Sequence, residues 1–467
     1  MNLNRRTLTS LAVTLPSALT ITRSAAAQEE ARAHFAQARI NWRQAQGQSL
    51  TIGLNRHPFT ESLLPLIPEF TALTGIRVDY LILPEQEYFT RLVADLSNQR
   101  GEFSVIMTGP MRNWQYVPAN WIMPLDPFLS NTSLTDPDWY NLGDFFPGLI
   151  AANRWNGQTG GGIGEGPLYS IPVLSETYIL AYRKDIFAQH NIKVPTTHAE
   201  MVEAAIQVKR HANIPGIVAR GTPNIGTVAT GFISGLKSQT DGQWSELDSR
   251  LAANLHDPRS VAYTESWVNM VRDNGPPNWA NMQWYDAMEA FTAGQAGMIA
   301  DADFFAANYE DASRSRVAGN VGYTMIPPGP GGRTYAGLWT WALGMSRATR
   351  NKEAAWLFLQ WATAQRTLLN ATVNHRNYNP SRASVMNDPR VRQVMGGWGG
   401  GSYVETVNKN LETARVAWIP QPERTRLGDI WARSLHEIYF RRMSANDALR
   451  RASTEVDRIL RDAGVRR

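Results

Sequence analysis

The chain has 467 residues, of which 43% are hydrophobic and 19% charged, a globular composition that excludes a disordered protein. A chain of this length exceeds what one hydrophobic core supports, so two or three domains are expected. The formal net charge of +5 does not predict a nucleic-acid-binding surface, because Arg5, Arg6 and Arg23 lie near the N-terminus and without them 43 basic residues stand against 41 acidic ones.

The first 27 residues have the pattern of an export signal. The twin arginine Arg5-Arg6 precedes an apolar run at residues 11–21, and Arg23 stands before three alanines at residues 25–27. This pattern predicts twin-arginine export, and the general secretory route stays open. The chain contains no cysteine, which excludes disulfides, zinc–thiolate sites and a lipid-modified cysteine at the cleavage site. We therefore expect a soluble, exported protein that is free in the periplasm and not lipid-anchored.

Strands and helices alternate after a polar extension at residues 28–47. The sequence predicts strands at residues 49–54, 76–83 and 103–107 and helices at residues 61–74 and 88–98, the first of which ends at Gly75. Strands that alternate with helices pair in parallel and carry the helices on the sheet. This part of the chain therefore predicts an α/β fold.

The same alternation continues through the second half of the chain. Strands are predicted at residues 168–173 and 178–182, a capping box of Thr197 and Glu200 opens a helix, and further helices are predicted at residues 353–364, 427–442 and 444–462. The glycine-rich loop at residues 155–167 lacks the G-x-G-x-x-G spacing. A phosphate-binding loop is therefore not predicted there.

A strand that ends in two carboxylates precedes a tryptophan-rich strand between residues 291 and 345. Side chains two positions apart share a face of a strand, so Asp301 pairs with Asp303 and Trp339 with Trp341. Carboxylates accept hydrogen bonds from the paired hydroxyls of a sugar, and indole rings cover its C–H faces. The pattern indicates a carbohydrate-binding cleft, with Trp341 expected to lie deeper, in the core.

Five short stretches resemble elements of a known family, in the expected order along nearly the whole mature chain. They are residues 70–78 (F-x-x-x-T-G-I-x-V), 170–185 (a strand that ends Y-R-K-D), 291–298 (F-x-x-G-x-A-x-M), 351–355 (N-K-E-A-A) and 419–421 (I-P-Q). In these stretches the chain resembles the extracellular solute-binding proteins of ABC importers, in the sugar-binding family that includes maltose-binding protein. Residues 337–341 (G-L-W-T-W) are most similar to the polyol and monosaccharide importers of that family.

The resemblance implies an α/β, two-lobed periplasmic-binding-protein fold of type II, with hinge-crossing segments and a ligand cleft between the lobes. Crossings near residues 172–175, 336–338 and 368–372 would give a first lobe of residues 48–172 and 338–368 and a second of residues 173–337 and 369–467. The implied function is to capture a monosaccharide, polyol or small sugar by lobe closure and to deliver it to the permease subunits of the importer. No cofactor or metal is implied, and a monomer is expected.

The resemblance also implies where the ligand would be contacted, because family members bind it at the C-terminal ends of strands and in the following loops. Asp303 and the two phenylalanines after it stand where oligosaccharide binders often carry a tryptophan, which favours a smaller ligand. The ten implied contact residues, none of them catalytic, are Asn55, His57, Phe59, Thr108, Arg112, Glu176, Asp301, Asp303, Trp339 and Arg382.

Two other functions stay open at this point. A sensor that presents a sugar to a membrane receptor would share the fold, and the sequence does not separate it from a transport protein. An exported carbohydrate-active enzyme would use Asp301 and Asp303 as a metal motif or as half of a carboxylate pair. The chain lacks the H-E-x-x-H, G-x-S-x-G and P-loop motifs, and its eight histidines lack metal-ligand spacing, so an enzyme or metal protein is not favoured.

Overall fold

The computed structural model describes residues 29–466, so the predicted export signal and residue 28 lie outside the described residues. The strands of this part of the chain are β1 Ser49–Asn55, β2 Arg77–Leu83, β3 Val105–Thr108, β4 Arg154–Trp155, β5 Ile163–Leu168, β6 Ser170–Pro172, β7 Glu176–Arg183, β8 Met298–Ala302, β9 Val321–Met325, β10 Leu338–Trp339 and β11 Ala342–Met345.

Helices separate most of these strands and cover the sheets. The α-helices that precede β10 are Pro58–Leu63, Ile67–Thr74, Glu85–Ser97, Pro110–Tyr116, Asp126–Leu129, Pro137–Tyr140, Pro147–Asn153, Lys184–Gln189, His198–Ala212, Ile225–Val228, Gly231–Gln239, Pro258–Asn274, Trp284–Thr292 and Ala306–Tyr309. Those that follow β11 are Lys352–Ala362, Gln365–His375, Ala383–Met386, Pro389–Gly396, Ser402–Thr413, Arg424–Tyr439 and Ala445–Asp462. Short 3₁₀ turns lie at Leu64–Leu66, Leu142–Asp144, Trp279–Asn281, Asp303–Phe305 and Trp398–Gly401.

The first sheet has the strand order β2-β1-β3-β11-β6. Strands β1, β2 and β3 are parallel, and β11 runs antiparallel to both β3 and β6. The helix Ile67–Thr74 leads into β2 and ends at Gly75, whose φ of 72° is left-handed, so a glycine stops the helix without strain. The N-terminal extension packs on the same core, where Phe35 and Trp42 are buried. This mixed sheet with its covering helices confirms the predicted α/β class.

The second sheet is built around β7. Strands β8 and β9 both run antiparallel to β7, and β10 pairs with its first two residues. Half of the predicted capping box is present in its flanking helix, since the backbone N–H of Glu200 donates to Thr197 Oγ1 at 3.1 Å, but the Glu200 carboxylate accepts from the N–H of Thr196, at 2.8 Å, instead of that of Thr197. Because every residue of β8 and the first six of β7 are buried, this sheet is covered on both faces.

Three segments connect the two sheets and lie side by side. The chain leaves the first sheet after Pro172 and enters the second at Glu176, and it returns between β10 and β11. The third connection is at residues 377–382, where Asn379 O accepts from the backbone N–H of Ser175 at 2.9 Å and Leu174 bridges Pro380. The second and third connections lie somewhat further along the chain than the sequence suggested, and the lobe boundaries stay a prediction.

Candidate functional site

A cavity of about 570 Å³ lies between the two sheets. On the first side it is lined by the turn after β1 and by the helices that begin at Glu85 and Pro110. On the second side it is lined by the start of β7, by Arg220, and by the first turn of the helix Arg424–Tyr439. The volume falls in the range of about 300–1,000 Å³ that small-molecule sites occupy, so this cavity is the candidate site.

Aromatic rings form one wall of the cavity around His57. The centre of the His57 ring lies 5.1 Å from that of Phe304, 5.3 Å from that of Trp341 and 5.9 Å from that of Trp284. Trp339 meets Trp341 edge to face at 5.3 Å. Such a wall offers flat apolar surfaces to the C–H groups of a ligand.

His57 lines this cavity and carries a single unpartnered hydrogen-bond donor among the described residues. Burial, with the nearby positive charge of Arg220, lowers the pKa of His57 to about 3, so the imidazole is neutral at physiological pH. Its Nδ1 accepts from the backbone N–H of Phe59 at 3.1 Å, which places the proton on Nε2. Nε2 is buried and has no partner among the described residues. A ligand hydroxyl would satisfy it.

Arg220 holds a cluster of charges on the second side. Its Nε donates to Asp301 Oδ2 at 2.9 Å and its Nη2 to Asp301 Oδ1 at 2.6 Å, while Glu176 Oε1 lies 3.6 Å from Nη2. Burial raises the pKa of Glu176 to about 8, and Arg220 opposes that rise. The arrangement gives the cavity a fixed guanidinium and a carboxyl group that accepts hydrogen bonds in either protonation state.

Four of the ten predicted contact residues line the cavity: His57, Arg112, Glu176 and Trp339. The structure brings them together from four places in the chain: the turn after β1, the helix that begins at Pro110, β7 and β10. The guanidinium carbon of Arg112 lies 3.8 Å over the Phe89 ring, and its Nη1 donates to Thr425 Oγ1 at 3.4 Å, across the cavity.

Three predicted contacts on the first side lie outside the lining. Phe59 is buried in the first-sheet core because the helix Pro58–Leu63 turns it inward. Thr108 points along the sheet, where its hydroxyl donates to Asn113 Oδ1 at 2.9 Å. Asn55 is fully buried at the end of β1, and both of its amide atoms lack a partner among the described residues.

The other three predicted contacts also lie away from the cavity surface. Asp301 acts through Arg220, whose guanidinium covers both of its oxygens. Asp303 accepts from the backbone N–H and the hydroxyl of Thr177, at 3.1 Å and 2.6 Å, because the strand turns inward after β8. Arg382 is 1% exposed and donates to the main-chain carbonyls of Tyr140 and Thr363, so its charge is directed away from the cavity.

Sequence reasoning missed several residues that line the cavity. Arg220 carries no motif, and the isolated pairing of Val218 with Ile299 brings it beside β8. Arg424 could have been found, since it lies three residues after the I-P-Q stretch at residues 419–421 and begins a long helix. Glu85 was missed as well, and its Oε2 accepts from Trp284 Nε1, on the opposite side of the cavity, at 3.0 Å.

Within residues 29–466, no three His, Cys, Asp or Glu side chains are grouped so as to hold a metal ion. Among the same residues, none of the helices has the length and hydropathy of a membrane span.

The chain matches the sequence family described as bacterial extracellular solute-binding protein over residues 57–367. It is 32% identical over 402 residues to the erythritol/L-threitol-binding protein of Mycolicibacterium smegmatis, covering 86% of this chain and 83% of that protein. It is 25% identical over 300 residues to the mannitol-binding protein of Pseudomonas aeruginosa, covering 62% of this chain and 63% of that protein.

The fold has a close counterpart among solved structures. An ABC transporter solute-binding protein of Agrobacterium radiobacter, solved in complex with ribitol, superposes with a TM-score of 0.78 at 22% identity and covers 89% of this chain and 99% of that chain. This likeness confirms the predicted two-lobed periplasmic-binding-protein fold. On the extent of the family match and the identity to the first relative, the chain belongs to the bacterial extracellular solute-binding proteins, the family predicted from its sequence, and is a binding protein of ABC transport and not an enzyme.

Proposed function

We propose that the cavity binds an open-chain polyol and that the chain delivers it from the periplasm to an ABC permease. The observation that carries the proposal is the unpartnered Nε2–H of His57, placed in an aromatic wall beside the Arg220–Glu176 pair. A polyol offers hydroxyls that both donate and accept, together with C–H faces for the rings. Two relatives are named as binders of erythritol, threitol or mannitol, which supports this ligand class.

The groups in the cavity suffice for micromolar affinity. A dissociation constant of 1 μM corresponds to about 8 kcal/mol. Hydrogen bonds to charged partners contribute about 1.5–3 kcal/mol each and neutral ones about 0.5–1.5 kcal/mol. Arg220 offers the first kind, and the protonated Glu176 carboxyl offers the second. Stacking on Trp339 and Trp341 would add to these, so a small ligand with four to six hydroxyls is compatible with micromolar binding.

Closure of the two sides around the ligand would complete the site. Trp284 and Glu85 already touch across the cavity, as do Arg112 and Thr425. The three connections between the sheets would serve as the hinge. We expect a monomer, which light scattering with size-exclusion chromatography would measure.

The direct test is a thermal-shift and calorimetry screen of protein that begins after residue 27. Tetritols, pentitols, hexitols and the matching monosaccharides are compared, and a polyol at a hundredfold excess over its Kd should add about 2.7 kcal/mol of stability. If no polyol moves the midpoint, the proposed ligand class is wrong.

His57→Asn tests the site within that screen. Asparagine keeps a side-chain acceptor at the start of the helix Pro58–Leu63, where it is a favoured capping residue, but it lacks the ring and its Nε2–H. We expect polyol affinity to fall about tenfold or more, in keeping with one lost hydrogen bond and its stacking contacts. Wild-type affinity in this variant would place the ligand elsewhere.

A further inference from the structure

A second group of cations lies on another part of the cavity, where Arg112 and Arg424 enter from opposite sides. Each guanidinium rests on an aromatic ring: the Arg112 carbon is 3.8 Å over Phe89, and the Arg424 carbon is 3.5 Å over Trp418. The two like charges repel each other across the closed cavity. Bringing them together therefore opposes closure unless something lies between them.

Neither guanidinium has an ion-pair partner. Among residues 29–466, no carboxylate oxygen lies within 4.0 Å of Arg112 or Arg424, whereas Arg220 is paired at 2.6 Å with Asp301. Arg424 is only 3% exposed, and its Nε and Nη2 have no hydrogen-bond partner in this part of the chain. Buried charged donors without acceptors are strongly unfavourable, and a bound anion would relieve that cost.

Two acidic residues near Arg424 are engaged with the backbone. Asp429 Oδ1 accepts from the N–H of Ile225 at 2.8 Å, and Glu246 Oε1 accepts from the N–H of Ile419 at 2.7 Å. Burial raises the pKa of both carboxyl groups, which weakens the negative charge they offer to Arg424. These two carboxyl groups therefore do not pair with Arg424.

The first turn of the helix that begins at Arg424 lines the cavity. The helix runs for 16 residues and its first turn carries no acidic residue, whereas the residue before it, Glu423, makes no side-chain cap and lies 3.9 Å from Arg426. Free N–H groups and the helix dipole favour a negative charge at such an end. The helix terminus and the unpartnered guanidinium of Arg424 thus point to the same kind of ligand group.

We propose that the Arg112–Arg424 side of the cavity binds a carboxylate, so that the preferred ligand is a sugar acid of the aldonate type. Such a molecule is an open polyhydroxylated chain with a carboxylate at one end. The inference rests on the proposed function, because its hydroxyls would be held by His57, Glu176 and Arg220 as those of a polyol are. The carboxylate would lie between the two arginines and remove their repulsion on closure.

Matched ligand pairs test this directly. Calorimetry compares erythritol with erythronate and mannitol with mannonate, and the aldonate of at least one pair should bind about tenfold tighter, as expected where charge-assisted hydrogen bonds replace neutral ones. Arg112→Gln and Arg424→Gln keep amide donors but remove the charge. Each should lower aldonate affinity about tenfold more than it lowers affinity for the matching polyol, so that the preference for the aldonate is lost.

Arg433→Gln is the matched control, because Arg433 lies on the same helix with its side chain 52% exposed and paired with Glu455, outside the cavity. It should keep the preference. Polyols that bind while every aldonate binds equally or more weakly would overturn this inference and leave the proposed function standing. If neither polyols nor aldonates bind, both this inference and the proposed function are wrong. Should Arg424→Gln not fold, Arg112→Gln decides, and a preference that survives in it overturns the assignment.

Discussion

At the scale of single residues, the structure separates side chains that face the cavity from those that hold the site in place. Asp301 and Arg382 were both expected at the ligand. Asp301 accepts a hydrogen bond from Arg220 and holds it in place, and Arg382 donates to the main-chain carbonyl of Tyr140. A sequence shows which residues carry charge near a strand end, but the direction of each side chain depends on partners far away in the chain.

Arg382 is predicted to stabilise the fold and to be dispensable for binding. It donates to the carbonyls of Tyr140, Asn141 and Thr363 at 2.9, 3.0 and 2.8 Å. Arg382→Leu leaves buried acceptors unpaired, so we expect a loss of about 3 kcal/mol or more in the free energy of unfolding. Urea denaturation measures this loss, and calorimetry should find ligand affinity changed by less than about threefold.

The matched control is Arg392→Leu, on the exposed face of the helix Pro389–Gly396. It should change stability by less than about 0.5 kcal/mol. If Arg382→Leu unfolds like the wild type but no longer binds ligand, Arg382 is a ligand contact after all.

Glu176 is predicted to make stability depend on pH. Burial raises its pKa to about 8, while an unfolded glutamate titrates near pH 4.5. Between these values the folded state keeps a proton that the unfolded state has released, so the free energy of unfolding falls as pH rises. Each pKa unit corresponds to about 1.4 kcal/mol, so the rise from 4.5 to about 8 corresponds to about 5 kcal/mol, most of which is lost between pH 5 and pH 8.

Urea denaturation of the unliganded protein at pH 5, 6, 7 and 8 measures this slope, and Glu176→Gln should flatten it. Asp303, whose pKa burial raises to about 7, contributes a slope of the same sign at lower pH, so part of the fall should remain in the variant. An identical slope in wild type and Glu176→Gln would show that Glu176 is ionised in the folded protein.

At the scale of elements, the sequence predicted regular segments well and their assignment to sheets poorly. Strands at residues 49–54 and 76–83 correspond to Ser49–Asn55 and Arg77–Leu83, because alternating apolar residues indicate a strand both in the buried β1 and in β2 at the sheet edge. The predicted strand at residues 337–345 is in fact β10 and β11, in different sheets. Thr340 marks the break, since its hydroxyl donates to Leu174 O at 2.7 Å in the neighbouring connection. No local pattern encodes that contact.

The close approach of β3 to this break predicts a specific role for Gly109. A Cβ added there would lie 2.5 Å from the Trp339 ring and 2.9 Å from Thr340 O, although its extended φ suits any residue. Gly109→Ala must therefore displace Trp339 from the cavity wall. We expect a stability loss of about 1–3 kcal/mol, typical of overpacking, and clearly weaker polyol binding.

Gly148→Ala is the matched control, since its added Cβ would have no atom within 4 Å at the start of the helix Pro147–Asn153. It should leave binding unchanged and leave stability equal or slightly higher, because alanine is the better helix former. Unchanged ligand affinity in Gly109→Ala would mean that Trp339 does not contact the ligand.

At the scale of the whole molecule, the function depends on how the two sides of the cavity meet. The family and the α/β architecture follow from short motifs spread along the chain, but the site is assembled from residues as distant as Glu85 and Trp284. Such pairs lie on different elements, and their contact exists only when the sides are close. A sequence pattern therefore gives the class of the protein more readily than the residues that close the cavity.

The contact between Trp284 and Glu85 is predicted to favour the closed state. Trp284→Phe keeps an aromatic ring in the wall but removes the donor that bonds Glu85 Oε2 at 3.0 Å. One hydrogen bond to a charged group contributes about 1.5–3 kcal/mol, so the closed state should become less populated and the apparent ligand affinity should fall about tenfold. Small-angle scattering should show an unliganded variant more expanded than the wild type, and the two should become equally compact at saturating ligand. Tyr285→Phe, next to it but outside the cavity lining, should change neither quantity. A weaker affinity without any expansion would mean that Trp284 acts by touching the ligand and not by closing the molecule.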